Sequence, residues 1–188
     1  MRLFQGRKIL LLAGLAGTGK TTASGFFRSF NIPVVRMGDV TDRYLRREKL
    51  VLDETNESKV RRNLRLKYGS DYYARETLPK VANKLNSSRL VIVEGLRSEE
   101  ERQTFLKEFG NCRLLYLEVP SGLRKERLLK RKNRPLKLRQ IELRENYEKI
   151  NLGTDRLKKE ADYFIKNSGT LSDLKEEIKE LVKKISND

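Results

Sequence analysis

A chain of 188 residues, 37% apolar and 36% charged, is long enough to bury the core of one domain and too rich in apolar blocks to stay disordered. It has no histidine and a single cysteine, Cys112, which excludes histidine bases, Ser-His and Cys-His nucleophiles, an internal disulfide and multi-cysteine metal sites. Its net charge of +16, from 42 Lys and Arg against 26 Asp and Glu, fits an anionic partner or, equally, the solvated ion-pair networks of a protein from a hot environment.

The first segment, MRLFQGRKILLLAGLAG, has the basic start and apolar stretch of a signal peptide. That stretch is short and runs straight into a glycine-rich loop, so it reads as a buried strand at 8–13. No apolar run is long enough to span a bilayer, and the lone cysteine suits a reducing cytoplasm. A helix is expected at about 20–30, a strand at 33–37 and a helix at 39–48. A longer helical stretch at 56–85 is broken near Gly69. Strand 90–94 and helix 98–109 follow, then strand 113–119, helices 121–131 and 140–150, and strand 162–166. In the last helix Leu171, Leu174, Ile178, Leu181, Val182 and Ile185 form one apolar stripe, and TLSD (170–173) offers a capping-box start. Strands alternating with amphipathic helices predict a single α/β domain, 1–188, with a parallel sheet.

Residues 14–21 match G-x-x-x-x-G-K-[ST], the loop whose inward-turned amides cradle phosphate oxygens. Gly14, Leu15, Ala16, Gly17, Thr18, Gly19, Lys20, Thr21 and Thr22 are therefore the candidate ATP-binding residues. Lys20 would bridge the β- and γ-phosphates, and the Thr21 hydroxyl would bind Mg²⁺. LVIVEGLR (90–97) is a buried-type strand that ends in Glu94, where a P-loop protein places its second metal-holding group. Gly95 then allows close approach, and Arg97 can fork onto a phosphate. RKERLLKRKNRPLKLR (124–139) carries nine basic residues and one acid, and reads as a nucleic-acid arm, a solvated face or part of the nucleotide site. YGSDYYARE (68–76) could stack an acceptor base or simply pack in the core. Lys49 to Glu57 reads as a polar connection or a mobile cover.

With these residues the chain resembles the nucleoside monophosphate kinases of the adenylate-kinase type. RMGDV (36–40) resembles their acceptor-binding segment, and EGLR (94–97) their D-G-x-R motif. VPSGLRKERLLKR (119–131) resembles their strand-end Val-Pro followed by a helix with two arginines four apart, and NSGTLSDL (167–174) their late loop. A closer resemblance is to archaeal adenylate-kinase-related, dephospho-CoA-kinase-like proteins of largely unknown function, through M-G-D-V, D-G-x-R-S and N-x-G-T-L. The resemblance implies a three-layer P-loop fold with a five-stranded parallel sheet in the order 2-3-1-4-5. It implies an acceptor-binding helical segment at about 38–86 and a short lid at about 131–144. Arg127 and Asn167 would lie against the ATP base. Arg131 and Arg134 would join Lys20 and Arg97 as catalytic residues, with Arg144 a further lid arginine. Gly38, Asp39, Arg43, Gly95 and Arg97 would hold the acceptor, and Thr21 and Glu94 the Mg²⁺.

Three departures mark this chain. Glu94 stands where the family has Asp, Asp42 stands where its phosphate-binding arginine is expected, and the lid lacks the usual acid pair. The first expectation is Mg²⁺-dependent phosphoryl transfer from ATP to a nucleoside monophosphate, with AMP favoured. Dephospho-CoA is an alternative acceptor whose hydroxyl proton would pass to a carboxylate such as Asp39. A different class of reading is an ATP-binding regulatory or RNA-associated protein whose contacts fall away with salt.

Overall fold

Strand β1 (Lys8–Ala13) is apolar at every position after Lys8, a pattern that only a strand covered on both sides can use. The computed structural model describes residues 6–132 and 135–187. It places β1 at the centre of a five-stranded parallel sheet in the order β2-β3-β1-β4-β5. The flanking strands are β2 (Val34–Arg36), β3 (Leu90–Leu96), β4 (Cys112–Glu118) and β5 (Tyr163–Lys166). The basic residue at the very start of the chain lies outside the described residues, as does Arg134.

Alternate β1 residues serve two cores. Leu10 and Leu12, with Ile92, Leu115 and Leu117, pack under α1 (Lys20–Ser29) through Ala23 and Phe27. The stripe Leu174, Ile178, Leu181 and Ile185 of α9 (Leu171–Asn187) closes that face. Thr170 and Asp173 exchange the two bonds of a capping box at its start, Thr170 N to Asp173 Oδ2 at 2.7 Å and Asp173 N to Thr170 Oγ1 at 3.2 Å. Ile9, Leu11 and Ala13 face the other way, against α2 (Asp39–Arg47), α3 (Glu54–Tyr68), α4 (Tyr72–Arg75), α5 (Leu78–Leu85) and α6 (Glu99–Phe109).

The long helical stretch does break at Gly69, whose φ of +101° no helix accommodates. α7 (Ser121–Leu129) and α8 (Leu138–Asn146) follow β4. The helix expected to run to residue 150 instead widens after Asn146 into a π turn, Tyr147–Asn151. Strand β3 runs two residues past Glu94, and the pairing of β1 with β3 slips between Leu12 and Ala13. This bulge sits at the carboxyl ends of the central strands, where the phosphate loop and Glu94 meet. Among the described residues no helix is long and apolar enough to cross a membrane.

Candidate functional site

β1 delivers the chain directly into the loop at 14–19, and α1 leads it away. Gly14, Gly17 and Gly19 take φ values of +137°, +84° and +92°. A Cβ on Gly14 would lie 2.5 Å from the Leu117 carbonyl oxygen, and one on Gly19 2.3 Å from Asn167 Nδ2. Two glycines are thus required by backbone angle and by close approach together. The loop is pinned from outside its own sequence. Asn167 Nδ2 donates to Thr18 O at 2.9 Å, Arg124 NH1 to Ala16 O at 3.3 Å, and Arg127 NH1 to Asn167 O at 3.0 Å.

Lys20 Nζ donates to Gly14 O at 2.6 Å and Leu15 O at 2.9 Å. Burial, and secondly the nearby Arg97 charge, outweigh Glu94 and push the Lys20 ammonium down to about 7 from 10.5. Thr21 Oγ1 donates to Glu94 Oε1 and Ser24 Oγ to Glu94 Oε2, both at 3.2 Å. Ser24, one turn beyond Thr21, escaped the sequence reading. Among the described residues no three His, Cys, Asp or Glu side chains converge as an all-protein metal cage. One carboxylate and one hydroxyl instead fit a hard divalent cation whose remaining ligands are phosphate oxygens and water, as Mg²⁺ prefers.

A single cavity of about 1250 Å³ joins this loop to the space between α2, α3 and the end of β3. Ala16, Gly17, Gly19, Lys20, Thr21 and Thr22 line one end, with Arg127, Arg131 and Asn167 beside them. Gly14, Leu15 and Thr18 do not line this cavity, and Leu15 and Thr18 face a second one of about 560 Å³ beside Val119 and Arg124. Gly38, Gly95 and Arg97 line the other end together with Arg36, Asp42, Arg61, Arg65, Tyr73 and Arg144. Asp39 and Arg43 are not among the residues that line this cavity. Arg36 NH1 bridges Asp39 Oδ1 at 2.8 Å and Asp42 Oδ2 at 2.7 Å, but the Asp39 side chain is 41% exposed and Asp42 only 13%. The Arg43 guanidinium lies 3.8 Å from Glu76 on the outer surface. α2 turns by about 100° per residue, so presenting Asp42 inward carries Arg43 away.

The sequence reading also missed a charged stripe on α3. Glu54, Glu57, Arg61 and Arg65 recur at helical spacing, and their side chains turn inward. Arg61 pairs with Glu54 and, at 2.9 Å, with Glu57. Arg65 NH2 pairs with the fully buried Glu101 at 2.7 Å and lies 4.3 Å over the Tyr73 ring. Glu101 Oε2 also accepts the Arg97 backbone N–H at 2.8 Å. The Arg97 guanidinium is held well below its ordinary pKa by burial and then by Arg144, Arg61 and Arg65. Burial, followed by Arg61, lowers Arg144 to about 10. Arg61, Arg65, Arg97 and Arg144 thus line this end of the cavity, each paired with a carboxylate of the surrounding elements. Of the basic stretch at 124–139, Arg124 and Arg127 point inward and serve this site, while Lys130 pairs with Glu126 at the surface.

Residues 10–150 match the family described as AAA domain. A UPF0200 protein of Pyrococcus abyssi is 31% identical over 94% of this chain and 96% of its own length. One from Hyperthermus butylicus is 31% identical over 96% of both. The chain spans 56% of the length of a UPF0200/UPF0201 protein of Archaeoglobus fulgidus, at 32% identity over 95% of this chain. Among solved structures, a shikimate kinase from Aquifex aeolicus aligns over 95% of this chain and 98% of its own with a TM-score of 0.53 and 23% identity. A gluconokinase from Sinorhizobium meliloti aligns over 95% of both with a TM-score of 0.56 and 14% identity, so both share the fold. The phosphate loop, the strand order and these matches agree: the chain belongs to the AAA-domain P-loop proteins and, within them, to the archaeal UPF0200 family.

Proposed function

We propose that this protein is a Mg²⁺-dependent phosphotransferase that moves the γ-phosphoryl group of ATP to a nucleoside monophosphate such as AMP. The observation that carries the reading is the single cavity joining the phosphate loop to the cluster Arg61, Arg97 and Arg144. A structure that only bound ATP would have no need of a second, arginine-lined compartment at the γ-phosphate end. In this reading the loop amides and Lys20 hold the phosphates, and Arg127 with Asn167 borders the base. Thr21 and Glu94 would hold Mg²⁺, which when bound supplies charge neutralisation on the phosphate oxygens. Arg97 orients the acceptor phosphate. Its oxygen attacks the γ-phosphorus while the bond to the β–γ bridging oxygen breaks and ADP leaves. Arg131 lines the cavity beside the loop and, in this reading, helps to exclude water from the transfer.

A second reading is favoured by one observation, the half-buried Asp42 on the cavity wall, braced by Arg36 at 2.7 Å. An alcohol acceptor such as dephospho-CoA must lose a proton, and Asp42 rather than Asp39 is the carboxylate in place to take it. The solved structures that share the fold include a shikimate kinase and a gluconokinase. A coupled assay for ADP release decides between the readings. The panel is the common nucleoside monophosphates, dephospho-CoA, shikimate and gluconate. Stimulation by AMP supports the first reading and stimulation by an alcohol alone supports the second. No acceptor-dependent ADP formation across the panel sinks both.

A further inference from the structure

Glu148 lies in the π turn that follows α8, is 1% exposed and is absent from the cavity wall. Its carboxylate nevertheless meets three parts of the site. Oε2 accepts the backbone N–H of Ala16 in the phosphate loop at 3.3 Å. Oε1 accepts from the Arg97 guanidinium and from Arg144 Nε, the latter at 3.0 Å. The segment just after this turn also secures the Arg97 backbone. Thr154 N donates to Glu148 O at 2.9 Å, and Thr154 Oγ1 donates to Arg97 O at 2.6 Å. The other side of Arg144 reaches Glu54 Oε2 at 2.8 Å, which extends the chain of contacts into α3.

Taking a carboxylate out of water costs several kcal/mol unless donors surround it, and buried ion pairs often add nothing to stability over an apolar replacement. Packing is therefore a poor explanation for a carboxylate at the junction of three parts of the proposed transfer site. Widened helical turns of this kind also cluster at functional sites. Glu148 does not face the cavity, so it has no path to a substrate proton, and any influence on chemistry passes through the groups it holds.

We infer that Glu148 is the positioning residue that keeps Arg97 and Arg144 in register with the phosphate loop, so that donor and acceptor phosphates meet a preset pair of guanidinium groups. This rests on the phosphotransfer reading above. A displacement of about 1 Å in such groups is enough to cost about 100-fold in rate.

The test compares Glu148→Gln and Glu148→Asp with wild type, using the acceptor that the panel identifies and calorimetry with Mg²⁺-ATP. In folded Glu148→Gln, kcat is expected to fall about 30-fold or more while the ATP dissociation constant rises no more than about threefold. Glu148→Asp keeps the charge but withdraws it by about one carbon–carbon bond, and is expected to recover part of kcat. A kcat within twofold of wild type in folded Glu148→Gln overturns the inference. Should that variant fail to fold, Glu148→Asp decides: an unchanged kcat overturns it, and a lower kcat at an unchanged KM supports it. If wild type transfers to no acceptor, the phosphotransfer reading fails and ATP binding alone judges Glu148. The effect of Arg97→Gln on ATP affinity should then shrink about threefold in the Glu148→Gln background. Equal effects in the two backgrounds overturn the inference.

Discussion

Lys20 is the residue whose charge the site controls most directly. Two loop carbonyls accept from its ammonium, yet burial and Arg97 bring it down to about 7. Between about 7 and 10.5 the unfolded chain holds a proton here that the folded chain lacks. This lysine's contribution therefore makes stability rise with pH across that window and stay flat below it. ATP phosphates favour the ammonium, so binding near pH 8 should take up as much as about one proton. Calorimetry in buffers of different ionisation enthalpy measures this uptake directly. A binding enthalpy independent of buffer would contradict it, and Lys20→Met should abolish the dependence. Most of this was legible from the motif, which prescribes a lysine beside a phosphate. The lowered pKa was not, because its main cause, burial, and its second, the charge of Arg97 77 residues away, both come only with folding.

At the scale of elements, α3 and α6 are joined by Arg65 and Glu101, both almost wholly buried. Removing one member leaves the other without its partner in a place without water. Arg65→Met is expected to cost about 3–5 kcal/mol, read from urea denaturation. The double change Arg65→Met with Glu101→Gln should recover most of that loss, since a glutamine oxygen still accepts the Arg97 N–H. A double variant as unstable as the single one would show that packing, not charge, holds the helices together. Element positions were well predicted wherever apolar periodicity is strong, as in β1, β3, β4 and α9. The π turn was not, because nothing in YEKIN distinguishes it from one more helical turn. It is the bonds from Thr154 and Gly153 back to Glu148 and Lys149 that accompany it.

For the molecule as a whole, Cys112 offers a reporter of global opening. It begins β4 beside the central strand, and burial pushes its thiol up to about 12. A disulfide reagent at neutral pH should therefore react only with molecules that have opened, and saturating ATP should slow the reaction by the same factor by which it stabilises the fold. Fast labelling of the native protein, unaffected by ATP, would exclude this. The sequence by itself determined the alternation of strands and helices and the phosphate loop, and it singled out Thr21 and Glu94 as the pair proposed to hold the metal. These follow from local patterns: apolar runs for doubly covered strands, and glycines where no Cβ fits. Only the tertiary structure decided the far end of the cavity. It turned Asp42 inward instead of Asp39, sent Arg43 to the surface, and gathered Arg61, Arg65, Arg97 and Arg144 around buried carboxylates. Such choices depend on how helices rotate against one another, and a charged residue carries the same letter whether it faces water or a substrate.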